Sequence, residues 1–226
     1  MPVSTEVVRG FGLSKSLSEE TLARISSAAM PISFRAGEVF FQQGEDFSAL
    51  HLVQTGHVKL FRQSGEKIQI LAVEHGGGTF GAETLFAHTP CPCTAQALTA
   101  GSALMIPADT LMALLEGQPD FMMIFLEVIS QKLRQFTNLV HSLAFRDVPT
   151  RLAEVLLQQE WIETAHGIAI PRILSQQDLA ANVGTAREVV YRTLKKFEQD
   201  GLIRILPHEY IVLDAGRLLR LADQEC

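Results

Sequence analysis

From Phe121 to Leu143 apolar side chains recur at threes and fours: Phe121, Phe125, Val128, Ile129, Leu133, Phe136, Val140 and Leu143, with Pro119 before them and Pro149 after. That spacing predicts one long helix, and a stripe kept up over about three heptads with polar flanks suits a two-stranded helical interface. Ahead of it the pattern changes to short apolar runs and alternations parted by glycines. Gly37-Glu-Val-Phe-Phe-Gln-Gln-Gly44 and Leu50-His-Leu-Val-Gln-Thr-Gly56-His-Val-Lys-Leu-Phe61 read as strands. So do Ile68-Gln-Ile-Leu-Ala-Val73 and Ala103-Leu-Met-Ile-Pro107, with a hairpin signal at Gln63-Ser-Gly65-Glu66. Strands at such intervals indicate an antiparallel roll.

Beyond the helix, Ser175 with Asp178 and Thr185 with Glu188 have capping-box spacing, with Gly184 just ahead of the second pair. Two helix starts about ten residues apart, with a glycine turn between, predict a helix-turn-helix. Leu179, Ala180, Val183, Val190 and Leu194 are the apolar positions that lock the two helices. Arg187, Glu188, Tyr191 and Arg192 fall on the opposite side of the second. Asp147 ahead of Pro149 reads as hinge and N-cap of the next helix, so we place boundaries at 1–118, 119–146 and 147–226: roll with an N-terminal helix, dimerisation helix with hinge, and helix-turn-helix domain.

Composition narrows the class. At 226 residues with 47% hydrophobic content the chain can fill two modest cores. No apolar run approaches the eighteen residues of a membrane span, and the N-terminus lacks a secretory plan, so a cytoplasmic location with no membrane partner is expected. Three cysteines support no disulfide framework. Net charge is −6, yet Thr185–Lys196 carries Arg187, Arg192, Lys195 and Lys196 against the single Glu188. Basic charge gathers on one helix of an acidic chain, which argues for a local, specific contact with nucleic acid.

The side chains suit base edges: an arginine fork can bond O6 and N7 of guanine, and a carboxylate can accept from N4 of cytosine. A plainer reading stands beside it. Glu188 could do no more than cap Thr185, and the arginines could be a solvated face.

Val-Gly184-Thr-Ala-Arg187-Glu188-Val-Val-Tyr191-Arg192-Thr-Leu-Lys195, followed by Phe-Glu-Gln-Asp-Gly201-Leu-Ile, resembles the recognition-helix stretch of the CRP/FNR family of bacterial transcription regulators. The pattern is similar to the CRP side of the family; on the FNR side the first arginine position is usually apolar. The resemblance covers roughly residues 18 to 222. It implies an α+β fold: an N-terminal antiparallel β-roll of double-stranded β-helix or jelly-roll type, a long dimerisation helix and a C-terminal winged helix-turn-helix.

The same resemblance implies a homodimer on palindromic double-stranded DNA with TGTGA-like half-sites, and RNA polymerase as a further partner. Arg187, Glu188 and Arg192 would read bases beside Tyr191, which departs from the small residue usual at its position. Gln176, Gln177, Thr185 and Lys195 would hold phosphates. Phe125, Val128, Ile129, Leu133, Phe136, Val140 and Leu143 would form the dimer interface.

Phe80-Gly81-Ala-Glu-Thr-Leu-Phe86 resembles the family's effector cassette, a glycine-led turn whose backbone N–H groups can face an anion. The implied pocket is Leu71, Gly81, Ala82, Glu83, Cys93, Thr94, Phe136 and Thr137. In the cyclic-AMP binders a glutamate follows the cassette glycine and an arginine pairs with the phosphate; here Ala82 and Cys93 stand at those places. A buried phosphate without a cation is costly, so the residues argue against cyclic AMP. An iron–sulfur cluster is excluded by counting, since no cysteine precedes Cys91. Haem stays open, with His75, His88 and His141 the candidate ligands. Cys91-Pro92-Cys93 could close only a strained ring, so it reads as loop and strand edge. No nucleophile elbow, Walker loop or metal-ligand pair at helical spacing is present, which argues against an enzyme. Two readings remain: a DNA-binding regulator under small-molecule, gas or redox control, and a ligand- or haem-binding sensor whose C-terminal domain contacts protein.

Overall fold

The computed structural model describes residues 3–9, 11, 17–46, 49–82, 84, 85 and 89–223. Two compact units are present, one made of Met1–Glu66 with Leu71–Gln135, the other of Lys67–Ile70 with Phe136–Cys226. Glu83 and His88 lie outside the described residues.

The first unit opens with α1 (Thr5–Arg9) and α2 (Glu19–Ala28) and continues through β1 (Met30–Phe34), β2 (Val39–Phe41), β3 (Ala49–Thr55) and β4 (Val58–Ser64). Then come β5 (Lys67–Glu74), which this unit holds from Leu71 on, β6 (Thr79–Phe80), β7 (Thr94–Ala97), β8 (Gly101–Pro107), α3 (Ala108–Gly117) and the start of α4 (Pro119–Phe145). Its strands form two four-stranded sheets in the orders β1-β8-β3-β6 and β2-β7-β4-β5, with antiparallel neighbours such as His51 opposite Met105 and Lys59 opposite Gln96. The expected hairpin at Gly65 is the β4–β5 turn, where Gly65 takes a φ of 60°.

Strand β3 shows why this roll needs helices over it. All of Ala49 through Val53 is buried, a run that one-sided alternation cannot produce. Leu50 and Leu52 join a cluster with Leu22 and Ile25 of α2, Leu111 and Leu115 of α3, and Phe121 and Phe125 of α4. Val53 points the other way, into the roll interior with Phe34, Phe41, Val58, Leu60 and Phe80. Side chains two apart share a face, so one strand serves two cores. A polar clasp ties the helices: Thr21 Oγ1 donates to Gln118 Oε1 at 2.8 Å, and the Ser18 backbone N–H donates to Asp120 Oδ2 at 2.8 Å.

The second unit holds the end of α4, then α5 (Val148–Leu157), β9 (Ile162–Thr164), β10 (Gly167–Pro171), α6 (Gln176–Val183) and α7 (Arg187–Gln199). It ends with β11 (Ile203–Ile205), β12 (Glu209–Val212) and α8 (Ala215–Ala222). Its sheet runs β11-β12-β10-β9, the wing beside the helices. Asp147 caps α5 by accepting from the Thr150 N–H at 2.9 Å, and proline stands in the first turn where its missing N–H costs nothing. The α4–α5 corner is pinned by Glu154, which accepts from Ser142 Oγ at 2.8 Å and pairs with Arg146 at 3.2 Å.

Candidate nucleic-acid interface and sensor cavity

The first helix of the helix-turn-helix begins as its sequence demands. Ser175 Oγ accepts from the Asp178 N–H at 3.1 Å, and the Asp178 carboxylate accepts from the Ser175 N–H at 3.3 Å, closing the capping box. It ends on Gly184 at φ 70°, ψ 47°, the left-handed conformation that a glycine adopts without strain. A Cβ on Gly184 would sit 2.8 Å from Leu143 Cδ2.

The second box does not form. Helix α7 starts at Arg187, its N-cap is Ala186, and no side chain caps it. The chain leaves Gly184 one residue too late for Thr185 to occupy the cap, so Thr185 is half-buried in the turn. Glu188 is thereby freed from capping, and among the described residues it has no ion pair or hydrogen bond from its side chain.

Helix α7 is fixed by Val190, Leu194 and Phe197, all buried, and by Thr193, whose hydroxyl donates to the Val189 carbonyl at 2.8 Å. Arg187, Glu188, Tyr191 and Arg192 are exposed together on the opposite face, Tyr191 at 50%. Lys195, expected on a phosphate, is tied to Glu198 at 2.8 Å, and the other oxygen of that carboxylate accepts from the Ile205 N–H. The pair holds the Lys195 ammonium above its usual range and the Glu198 carboxyl below its own. Gln176 and Gln177 lie at the start of α6 and, with Arg187, border a hollow that Arg172 also lines. Arg172 was not legible as a site residue. It donates to the Leu206 and Pro207 carbonyls at 3.0 and 3.1 Å and lies over the Tyr210 ring, securing the β11–β12 turn.

Helix α4 sorts its apolar residues by neighbour. Phe125, expected in the dimer seam, is 4% exposed and belongs to the roll core with Phe121, because it follows Phe121 by four residues on the same face. Val128 is half-buried beside Glu74 and Gly78. Leu126, Ile129, Leu133, Phe136, Val140 and Leu143 instead keep a strict three-four repeat, with Leu126, Leu133 and Val140 exposed by 51, 67 and 66%. Leu126 was missed. Its spacing to Ile129 was readable, but the phenylalanine at 125 drew the stripe one residue early.

The described positions of the expected pocket fall in different surroundings. Gly81 at φ 91° lets the backbone pass Ala49, whose carbonyl would lie 2.4 Å from a Cβ. Ala82 is buried in the cluster under the helices, whereas Cys93 is buried in the roll interior, a cluster that Leu71 also packs against. Thr94 is half-buried, and its hydroxyl accepts from the Gln43 N–H at 3.0 Å. Phe136 is half-buried and Thr137 exposed on α4. A cavity of about 270 Å³ lies elsewhere in this unit, between the β5–β6 turn and α4, beside Glu127, Gln131 and Gln135. There Lys132 Nζ pairs with Glu74 at 2.8 Å and donates to the Thr79 carbonyl.

The haem candidates among the described residues are His75 and His141. His75 is exposed on the β5–β6 turn, and His141 is half-buried with its ring 5.2 Å from that of Phe145. His51, passed over in the sequence, is the buried one: its ring stacks on Phe80 at 4.6 Å and meets Phe40 edge-on. Desolvation holds its imidazole down to about 4, and aromatic rings rather than a hollow fill the space against it. Cys91 and Cys93 are both buried in the roll interior and form no disulfide.

Among the described residues no helix is long and apolar enough to cross a membrane. A cyclic nucleotide-binding domain model matches residues 31–118, and a Crp-like helix-turn-helix domain model matches residues 150–221. The CRP-like cAMP-activated global transcriptional regulator of Mycobacterium tuberculosis is 27% identical over 96% of this chain and 99% of its own length. The transcriptional activator protein Anr of Pseudomonas aeruginosa is 27% identical over 90% of this chain and 84% of its own. The fold is shared with FixK2 of Bradyrhizobium japonicum at TM-score 0.78, with 19% identity, 88% of this chain and 99% of that one. A roll matched by the sensor model, a long helix and a wing matched by the Crp-like model follow one another in a single chain, which belongs to the CRP/FNR family of transcription regulators.

Proposed function

We propose that the protein is a homodimeric, sequence-specific DNA-binding regulator whose β-roll senses a small-molecule, gas or redox signal. One observation carries this: Arg187, Glu188, Tyr191 and Arg192 stand exposed on one face of a helix whose other face is locked by Val190, Leu194 and Phe197. A rigid helix with two forks and a free carboxylate supplies the donors and the acceptor that read guanine and cytosine edges. Gln176 and Gln177 at the start of α6, with Thr185 in the turn, would take phosphates, and Lys195 would join them by leaving Glu198. Selection of binding sites from a random duplex pool tests the reading. A palindrome with TGTGA-like half-sites is expected, and recovery of no consensus would sink it.

The signal we infer is neither cyclic AMP nor an iron–sulfur cluster. The M. tuberculosis relative is named as cAMP-activated. In this chain the positions expected to meet ribose and phosphate are Ala82 and Cys93, buried in two different apolar clusters. Neither offers a charge to a cyclic phosphate, and each is buried in an apolar cluster. Titration of the protein with cyclic AMP in a calorimeter should show no site of micromolar affinity or tighter, and such a site coupled to DNA affinity would overturn this inference.

A further inference from the structure

The reader face of α7 continues into a charged groove that base reading leaves unused. The start of α5, the flank of α7 and the length of α8 enclose about 680 Å³, with Val189, Phe197 and Leu202 in the floor. Arg192, Lys196, Arg217 and Arg220 line it, against the single carboxylate of Asp200, which already pairs with Lys196 at 3.2 Å. Arg217 spends one donor on the Asp200 carbonyl at 3.0 Å, and a guanidinium has five. Arg192 and Arg220 have no ion pair among the described residues. Val189, Arg192, Lys196 and Asp200 follow at threes and fours along α7, so the groove is the flank beside Arg187, Glu188 and Tyr191, with Arg192 shared by both.

A helix seated in the major groove has its flanks toward the phosphates that border that groove. Excess positive charge over an apolar floor complements a sugar–phosphate strand, which presents phosphate oxygens and the apolar faces of deoxyribose. We propose that Arg217 and Arg220 of α8, with Lys196 of α7, clamp the DNA backbone beside the reader face, so that the C-terminal helix is part of the interface. This rests on the reading of α7 as a DNA-reading helix. It also replaces charge lost to the reader face where Lys195 is held by Glu198.

The test is binding of the full-length protein to its selected duplex and to a scrambled duplex across monovalent salt, for wild type and for the double variant Arg217→Gln/Arg220→Gln. Each phosphate contact contributes about 0.9 to the slope of log affinity against log salt, and a dimer loses two contacts in each protomer, so the slope should fall by between about three and four. Affinity at 0.1 M salt should drop about tenfold or more on both duplexes, with the consensus unchanged. The conservative pair Arg217→Lys/Arg220→Lys keeps the charge and should keep the slope, which separates a phosphate contact from a packing role. A Gln pair with the wild-type slope, or a Lys pair that loses it as fully, overturns the clamp while leaving base reading intact. Wild-type protein that binds the two duplexes equally would overturn the reading of α7 and the clamp with it.

Discussion

Glu188 is where base reading and plain capping part company. A glutamate three residues after a threonine invites a capping box, but the N-cap of α7 is Ala186 and the helix takes no side-chain cap. Its carboxylate is therefore spare, and Glu188→Ala should leave the urea midpoint nearly unchanged while relaxing discrimination at one base pair by about 1–3 kcal/mol. Site selection with wild type and variant checks this; an identical consensus would remove Glu188 from the readers. At the other end of the chain's chemistry sits His51. Its imidazole is kept neutral down to about 4 by burial, whereas the unfolded chain takes up the proton near 6.5. Unfolding thus binds a proton between those values, and stability that is full above pH 6.5 is lost as pH falls toward 4, by about 3 kcal/mol at most. His51→Phe keeps a ring against Phe80 and should flatten urea midpoints measured from pH 7 to 4. An undiminished slope would assign the acid sensitivity to other groups.

At the scale of elements, what was legible followed from local rules. The Ser175–Asp178 box, the Asp147 cap and the Gly65 hairpin each need only a few adjacent residues, and each forms where its signal stands. What was not legible depends on partners distant in the chain. Phe125 and Leu126 are neighbours in a helix, and only the presence of Leu50, Leu52 and Leu111 under the first decides which of them is core. The same holds for His51, whose strand is covered on both faces, and for Arg172, whose carbonyl partners lie 34 and 35 residues away. The cassette shows the limit of residue-by-residue likeness, since Ala82 and Cys93 are close in a motif yet buried in separate cores. Gly184 joins both kinds of reason: a left-handed cap read from sequence and a contact with Leu143 that was not. Gly184→Ala should therefore cost about 1–2 kcal/mol from backbone conformation alone, with more from the overlap. A denaturation midpoint equal to wild type would show that the turn relaxes freely.

For the whole molecule, the argument for a dimer is what α4 leaves exposed. A monomer rarely keeps apolar side chains in a stripe facing water, and exposed Leu126, Ile129, Leu133 and Val140 hold heptad spacing along one helix with half-buried Phe136 and Leu143. Paired half-sites in DNA require a two-fold axis in the protein, and a parallel or crossed pair of such helices provides one. The variant has to separate this from a merely destabilised fold. Val140 is 66% exposed in the single chain, so Val140→Asp costs the isolated protomer little, whereas in a symmetric seam each carboxylate would be buried against its own copy with no cation to meet it. Phe125→Asp would damage the roll core and could not discriminate. Sedimentation equilibrium of Val140→Asp should give the mass of one chain with circular dichroism unchanged, and DNA affinity should fall as the second half-site is lost. An intact dimer for this variant would move the two-fold axis away from α4.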